Sequence, residues 1–130
     1  MIVVDASALL ASLLQLSDAS KVDPHLFEAG QSLHAPHLID IEIAQAIRRL
    51  ALAGSIDPKR GQEALSDLAA FSLQRYPHEP FLPRIWTLRA NFSAYDAVYV
   101  ALAEALNAPL LTCDGRLATA AAVHTKIARI

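Results

Sequence analysis

Short apolar runs that end in an aspartate and give way at once to helical periodicity constrain this chain more than any other feature. Ile2-Val3-Val4 stops at Asp5 and opens into Ala6-Ser7-Ala8-Leu9-Leu10, while Pro109-Leu110-Leu111-Thr112-Cys113 stops at Asp114 and opens into Gly115-Arg116-Leu117. Each is a strand-to-helix junction. Alternation of this kind favours a parallel α/β sheet, whose ligand crevice lies at the carboxyl ends of the strands. Val3-Val4 reads as the first strand, and Leu9, Leu10, Leu13 and Leu14 follow at helical spacing. Asp23-Pro24 has the order of an N-cap and a first-turn proline, which predicts a helix from His25 to Ala29 stopped by Gly30. Short strands are expected at Ser32 to Ala35, Ser72 to Tyr76 and Pro109 to Thr112, with a weak last strand from Lys126 to Ile130. Helices are expected from Leu38 to Ala53, from Asp57-Pro58 to Phe71, from Pro83 to Ala90, from Ala97 to Leu106 and from Gly115 to Val123.

With 130 residues, 54% of them apolar, and no repeat or linker, the chain predicts a single domain spanning 1–130. A net charge of −2 provides no global positive field for nucleic acid, so any such binding must use a local patch. One cysteine, Cys113, excludes an internal disulfide and fits a reducing compartment. Asp5 interrupts the N-terminal apolar run before it reaches signal-sequence length, and no segment is long enough to span a membrane. A cytoplasmic location is the expectation.

Four carboxylates stand where separate elements can bring them to one sheet edge: Asp5, Glu42, Asp96 and Asp114. Singly, each has an ordinary structural use. Asp5 and Asp114 fit helix N-caps, Glu42 fits a helix first turn, and Ser93-x-x-Asp96 fits a capping box. Jointly they suggest a metal site, because clustered acids repel one another unless a cation or protons compensate. Oxygen-only ligands select hard ions such as Mg²⁺ or Mn²⁺, which act on phosphate oxygens. Asp40 is a second acid on the helix expected from Leu38 to Ala53, but it lies on the opposite margin of the apolar stripe from Glu42, and Glu42 is preferred. Arg48, Arg49, Arg84, Arg89 and Arg116 are candidates for phosphate contacts, with Arg116 foremost because it adjoins Asp114. His34-x-x-His37 is read as a non-metal pair because Pro36 breaks any helix that would align it, Cys113 as a buried thiol, and Trp86 as core or dimer surface.

Val3-Val4-Asp5-Ala6-Ser7, Asp40-Ile41-Glu42-Ile43-Ala44, Ser93-Ala94-Tyr95-Asp96-Ala97-Val98-Tyr99 and Leu111-Thr112-Cys113-Asp114-Gly115 occur in that order and together resemble PIN-domain ribonucleases. Among these the resemblance is greatest to the VapC toxins of bacterial toxin–antitoxin pairs. It implies a five-stranded parallel sheet flanked by helices and Mg²⁺- or Mn²⁺-dependent cleavage of RNA. It also implies a homodimer, a VapB-like antitoxin, and contact with operator DNA only through the antitoxin complex. Residue by residue, it places Asp5, Glu42, Asp96 and Asp114 at the family's four acidic positions. Ser7 falls where a hydroxyl orients the first acid, and Asn91 where a substrate or supporting contact is made.

Three other classes compete. A phosphatase with Asp5 as nucleophile needs a second Asp at position 7, which is Ser. A phospho-accepting receiver needs an acidic pair after its first strand and a phosphoacceptor after its third, and neither is evident near Asp5 or Tyr76. A non-catalytic interaction domain of the same fold has no need of all four acids.

Overall fold

The computed structural model describes residues 1–128 and 130. Strand β1, Ile2–Val4, is wholly buried and runs through Asp5 into helix α1, Ala6–Leu13. Next come α2, Ala19–Leu26; β2, Leu33–Pro36; α3, Leu38–Leu52; α4, Pro58–Ala70; and β3, Gln74–Tyr76. A short 3₁₀ turn, Glu79–Phe81, leads into α5, Leu82–Thr87, followed by α6, Ala94–Leu106; β4, Leu110–Leu111; and α7, Gly115–Ala121.

All strand pairings are parallel, and the order across the sheet is β3-β2-β1-β4. The chain therefore winds from β1 to β2 to β3 in one direction and later returns to lay β4 on the other side of β1. That reversal creates a topological switch point between β1 and β4, where a crevice opens beyond the carboxyl ends of the strands. Asp5 follows one of these two strands directly, and Asp114 lies three residues beyond the other.

The core draws Val3, Val4, Leu110 and Leu111 from the sheet, Leu9 from α1, Ile39, Ile43 and Ile47 from α3, and Val98, Tyr99, Val100 and Leu102 from α6. The four-residue spacing of the three isoleucines turns one stripe of α3 inward. Helix α6 is buried continuously from Ala97 to Ala103 and packs across β1 and β2, in keeping with its nearly all-round apolar sequence. Helices α3 and α4 approach closely at Gly61, where an added Cβ would stand 2.9 Å from Ile47 Cγ2. Among the described residues no helix is long and apolar enough to cross a membrane.

Three expectations need correction. The second helix is Ala19–Leu26, with Pro24 inside it, rather than a helix from His25 to Ala29. Ala19, Val22 and Leu26 are buried at helical spacing, and α2 packs on α1, so this apolar stripe outweighs the local cap-and-proline signal. Among the described residues the sheet has four strands rather than five. The segment expected as the last strand contributes a single parallel bridge, Leu110 to Ile127, with Leu110 N donating to Lys126 O at 2.8 Å and Ala128 N to Leu110 O at 2.9 Å. Arg129 of that segment lies outside the described residues. Finally, Trp86 is 67% exposed and is not a core residue.

Candidate active site

Asp5 is the best-supported carboxylate in the crevice. It is 5% exposed, and its backbone amide continues the sheet by donating to Leu111 O at 3.1 Å. Its Oδ1 accepts the Ala8 amide at 3.0 Å, which makes it the N-cap of α1, and also the Ser7 hydroxyl at 2.7 Å. Its Oδ2 accepts the Thr112 hydroxyl at 2.5 Å. Each hydroxyl is itself an acceptor for a backbone amide, Cys113 N to Ser7 Oγ and Asp114 N to Thr112 Oγ1, both at 2.9 Å. The amides occupy the oxygens' acceptor side and direct both hydroxyl protons toward Asp5.

Asp114 is the N-cap of α7, its Oδ1 accepting the Arg116 and Leu117 amides at 2.9 and 3.2 Å. Both cap bonds use one oxygen, so the second is not needed for capping. Asp96 sits in the first turn of α6, where its backbone amide donates to Ser93 Oγ at 3.2 Å. Glu42 is on α3, and its Oε1 accepts the Tyr99 hydroxyl at 2.6 Å.

Three of the four acids are raised, each in part by the charge of another. Burial pushes the Asp5 carboxyl above its ordinary value, hydrogen bonds from Thr112, Ser7 and Ala8 oppose that rise, and the Asp114 charge adds to it. Glu42 is raised chiefly by burial, is restrained by Tyr99, and is raised further by the charges of Asp5 and Asp96. Asp96 is raised by burial and by Asp114, against the opposing effects of Arg116 and Ser93. The couplings thus run Glu42 to Asp5 and Asp96, Asp5 to Asp114, and Asp96 to Asp114. Among the described residues, however, no three His, Cys, Asp or Glu side chains form a ready-made metal cage. The donor set fits a loosely held hard cation: all its atoms are oxygens, the acids' charges act against one another with Arg116 opposing at Asp96, and Mg²⁺ commonly binds through one or two carboxylates while retaining several waters.

Asp40 is placed differently. Its carboxylate takes a bidentate bond from Arg75, at 2.8 and 3.0 Å, tying α3 to β3. Arg84 makes a similar pair with Glu104 at 2.9 and 2.8 Å, and Arg89 lies over the Trp86 ring at 4.4 Å. Arg48, Arg49 and Arg116 are exposed, and of these Arg116 is the one whose charge acts on Asp96. Asn91 is exposed in the turn before α6, where its backbone amide donates to Leu88 O. His34 bonds Ser32 Oγ and Tyr76 OH, while the His37 ring meets that of His78 edge-on. Cys113 is held as a thiol, its pKa pushed up to about 11 by burial and by Asp18 and Asp5. Sequence reasoning missed Thr112 and Tyr99. Each is a polar atom inside an otherwise apolar run, which is the only sign the sequence carries of either role.

The pattern of the PIN domain matches residues 2–123. The chain belongs to the PIN-domain family. Ribonuclease VapC9 of Mycobacterium tuberculosis strain H37Rv is 50% identical over 117 residues, covering 90% of this chain and 88% of its own length. Ribonuclease VapC1 of the same strain is 41% identical over 126 residues, covering 96% and 94% respectively. In three dimensions the PIN domain is similar to the crystal structure of PAE2754 from Pyrobaculum aerophilum, with a TM-score of 0.69 and 27% identity over 92% of this chain and 78% of that one.

Proposed function

We propose that this PIN domain is the toxin of a VapBC-type pair, an endoribonuclease that hydrolyses RNA phosphodiester bonds with Mg²⁺ or Mn²⁺. The observation that carries the reading is the placing of Asp5 and Asp114 beyond the two strands that flank the β1–β4 switch point, in a chain 50% identical over 117 residues to a VapC ribonuclease. Asp5, Glu42, Asp96 and Asp114 would hold the cation, which supplies Lewis-acid chemistry and lowers the pKa of a bound water.

The chain's own residues provide the frame. Ser7, Thr112 and the Ala8 amide fix both oxygens of Asp5 and favour its ionised form in a buried place. Asp114 and Asp96 present their charge from helix N-termini, where the backbone dipole favours anions. Arg116 stands near enough to Asp96 to meet an RNA phosphate at the edge of the site, and Asn91 offers a polar contact on the approach to α6. These roles extend the family likeness to individual residues.

The partners follow from the same kinship: single-stranded or looped RNA as substrate, a VapB-like antitoxin, a second copy of the chain, and operator DNA reached through the antitoxin. Leu82, Trp86 and Tyr95 leave apolar surface exposed on α5 and α6, which suits a protein partner. The cytoplasm is the compartment that holds these partners and keeps Cys113 reduced.

The test is RNA cleavage by purified protein with Mg²⁺ or Mn²⁺, repeated with chelator and with Asp5→Asn. Metal-dependent cleavage lost in Asp5→Asn is the expected result. Cleavage that persists undiminished in Asp5→Asn, with contamination excluded, overturns the assignment.

A further inference from the structure

Helix α6 carries a second polar group toward the crevice one turn beyond Asp96. Tyr99 is 2% exposed, yet its hydroxyl is fully engaged: it donates to Glu42 Oε1 at 2.6 Å and interacts with the Ala6 backbone amide, the first helical residue after Asp5. Buried tyrosine hydroxyls need such partners. The phenol therefore joins three elements: α6 through its own backbone, the start of α1 through Ala6, and α3 through Glu42. Glu42 has a flexible side chain and lies only part-buried at the margin of the α3 stripe. A single short bond from a rigid, buried ring removes most of that freedom.

We propose that Tyr99 is a positioning residue for the active site, a buried strut that holds Glu42 at a set place relative to Asp5. This rests on the proposed reading of the carboxylates as a cation site. The Tyr99 hydroxyl has one proton to give, and it gives it to Glu42 Oε1. One oxygen of Glu42 is committed to the strut and the other is left for the crevice. Partners that orient a metal-binding side chain commonly change metal affinity or activity by about 10–100-fold when removed.

The experiment uses Tyr99→Phe, which keeps the ring and removes only the hydroxyl, together with Glu42→Ala, which removes the acceptor, and the double variant. Thermal melts of all four proteins in chelator test the strut itself, and Mn²⁺ titration by calorimetry tests its effect on the site. The two substitutions should be strongly non-additive in melting temperature. Tyr99→Phe should weaken Mn²⁺ binding about tenfold in the wild-type background and not at all beside Glu42→Ala. Additive melting effects, or equal Mn²⁺ affinity in wild type and Tyr99→Phe, overturn the positioning role. A wild type that binds no Mn²⁺ while its melts remain non-additive overturns the cation reading, and the strut's function with it, so the two failures are told apart.

Discussion

Thr112→Val is the perturbation that isolates how Asp5 is kept charged inside the protein. Valine matches threonine in shape, and Thr112 is only 3% exposed, so packing is preserved while the hydroxyl is lost. The change removes the 2.5 Å bond to Asp5 Oδ2 and the acceptor for the Asp114 amide. A hydrogen bond to a charged group contributes about 1.5–3 kcal/mol, so the cost at neutral pH should be about 2–3 kcal/mol. In a domain of this size that lowers the melting temperature by roughly 5–12 °C. Thr112→Ser keeps the hydroxyl and should recover most of it.

The loss should also depend on pH. The Asp5 carboxyl already stands above its ordinary value, and Thr112 is the largest influence pulling it down. Removing Thr112 raises it further. For an acid whose folded-state pKa exceeds the unfolded one, folding favours the protonated form; that stability is full below the unfolded pKa and lost as pH rises through the folded value. The Thr112→Val penalty should therefore be greatest at neutral pH and shrink as the pH falls through the raised Asp5 value. Melts at a series of pH values with chelator, read beside Thr112→Ser, provide the assay. A penalty that is unchanged from neutral pH down to pH 4 would refute the reasoning, because a simple packing defect does not titrate.

Asp96→Asn should melt no lower than wild type in chelator, since Ser93 Oγ still accepts the residue-96 amide, while Mg²⁺ raises the wild-type melting temperature more than the variant's and RNA cleavage is lost. A variant clearly less stable than wild type in chelator would assign Asp96 to capping instead. Asp40→Asn should cost about 1 kcal/mol by weakening the Arg75 pair and leave RNA cleavage largely intact, whereas Glu42→Gln should abolish it; equal loss of cleavage in both would remove the distinction between the two acids. Gly61→Ala should destabilise by about 1–3 kcal/mol in chemical denaturation despite alanine's better helix propensity, because its Cβ meets Ile47. An unchanged or higher denaturation midpoint would show that Ile47 gives way freely.

What the sequence determined by itself is the set of local decisions. Apolar runs ending at Asp5 and close to Asp114, the isoleucine stripe of α3, the unbroken apolar length of α6 and the Asp57-Pro58 start of α4 each act through neighbours a few residues away, and short-range sterics and capping suffice to read them. Asp5 and Asp114 show the limit of that reading. Both are the helix caps their surroundings suggest, and the cap and the crevice use the same side chains, so local chemistry could not separate the two uses. Tertiary structure alone decided the rest. It placed β4 beside β1 to form the switch point, and it brought Thr112 to Asp5 across 107 positions and Tyr99 to Glu42 across 57. It gave Asp40 to Arg75 and left the last segment as one bridge at the sheet edge. Each of these outcomes depends on burial and on hydrogen bonds between distant segments, whose energies exist only after the chain has closed and so leave no periodic mark in the residues that make them.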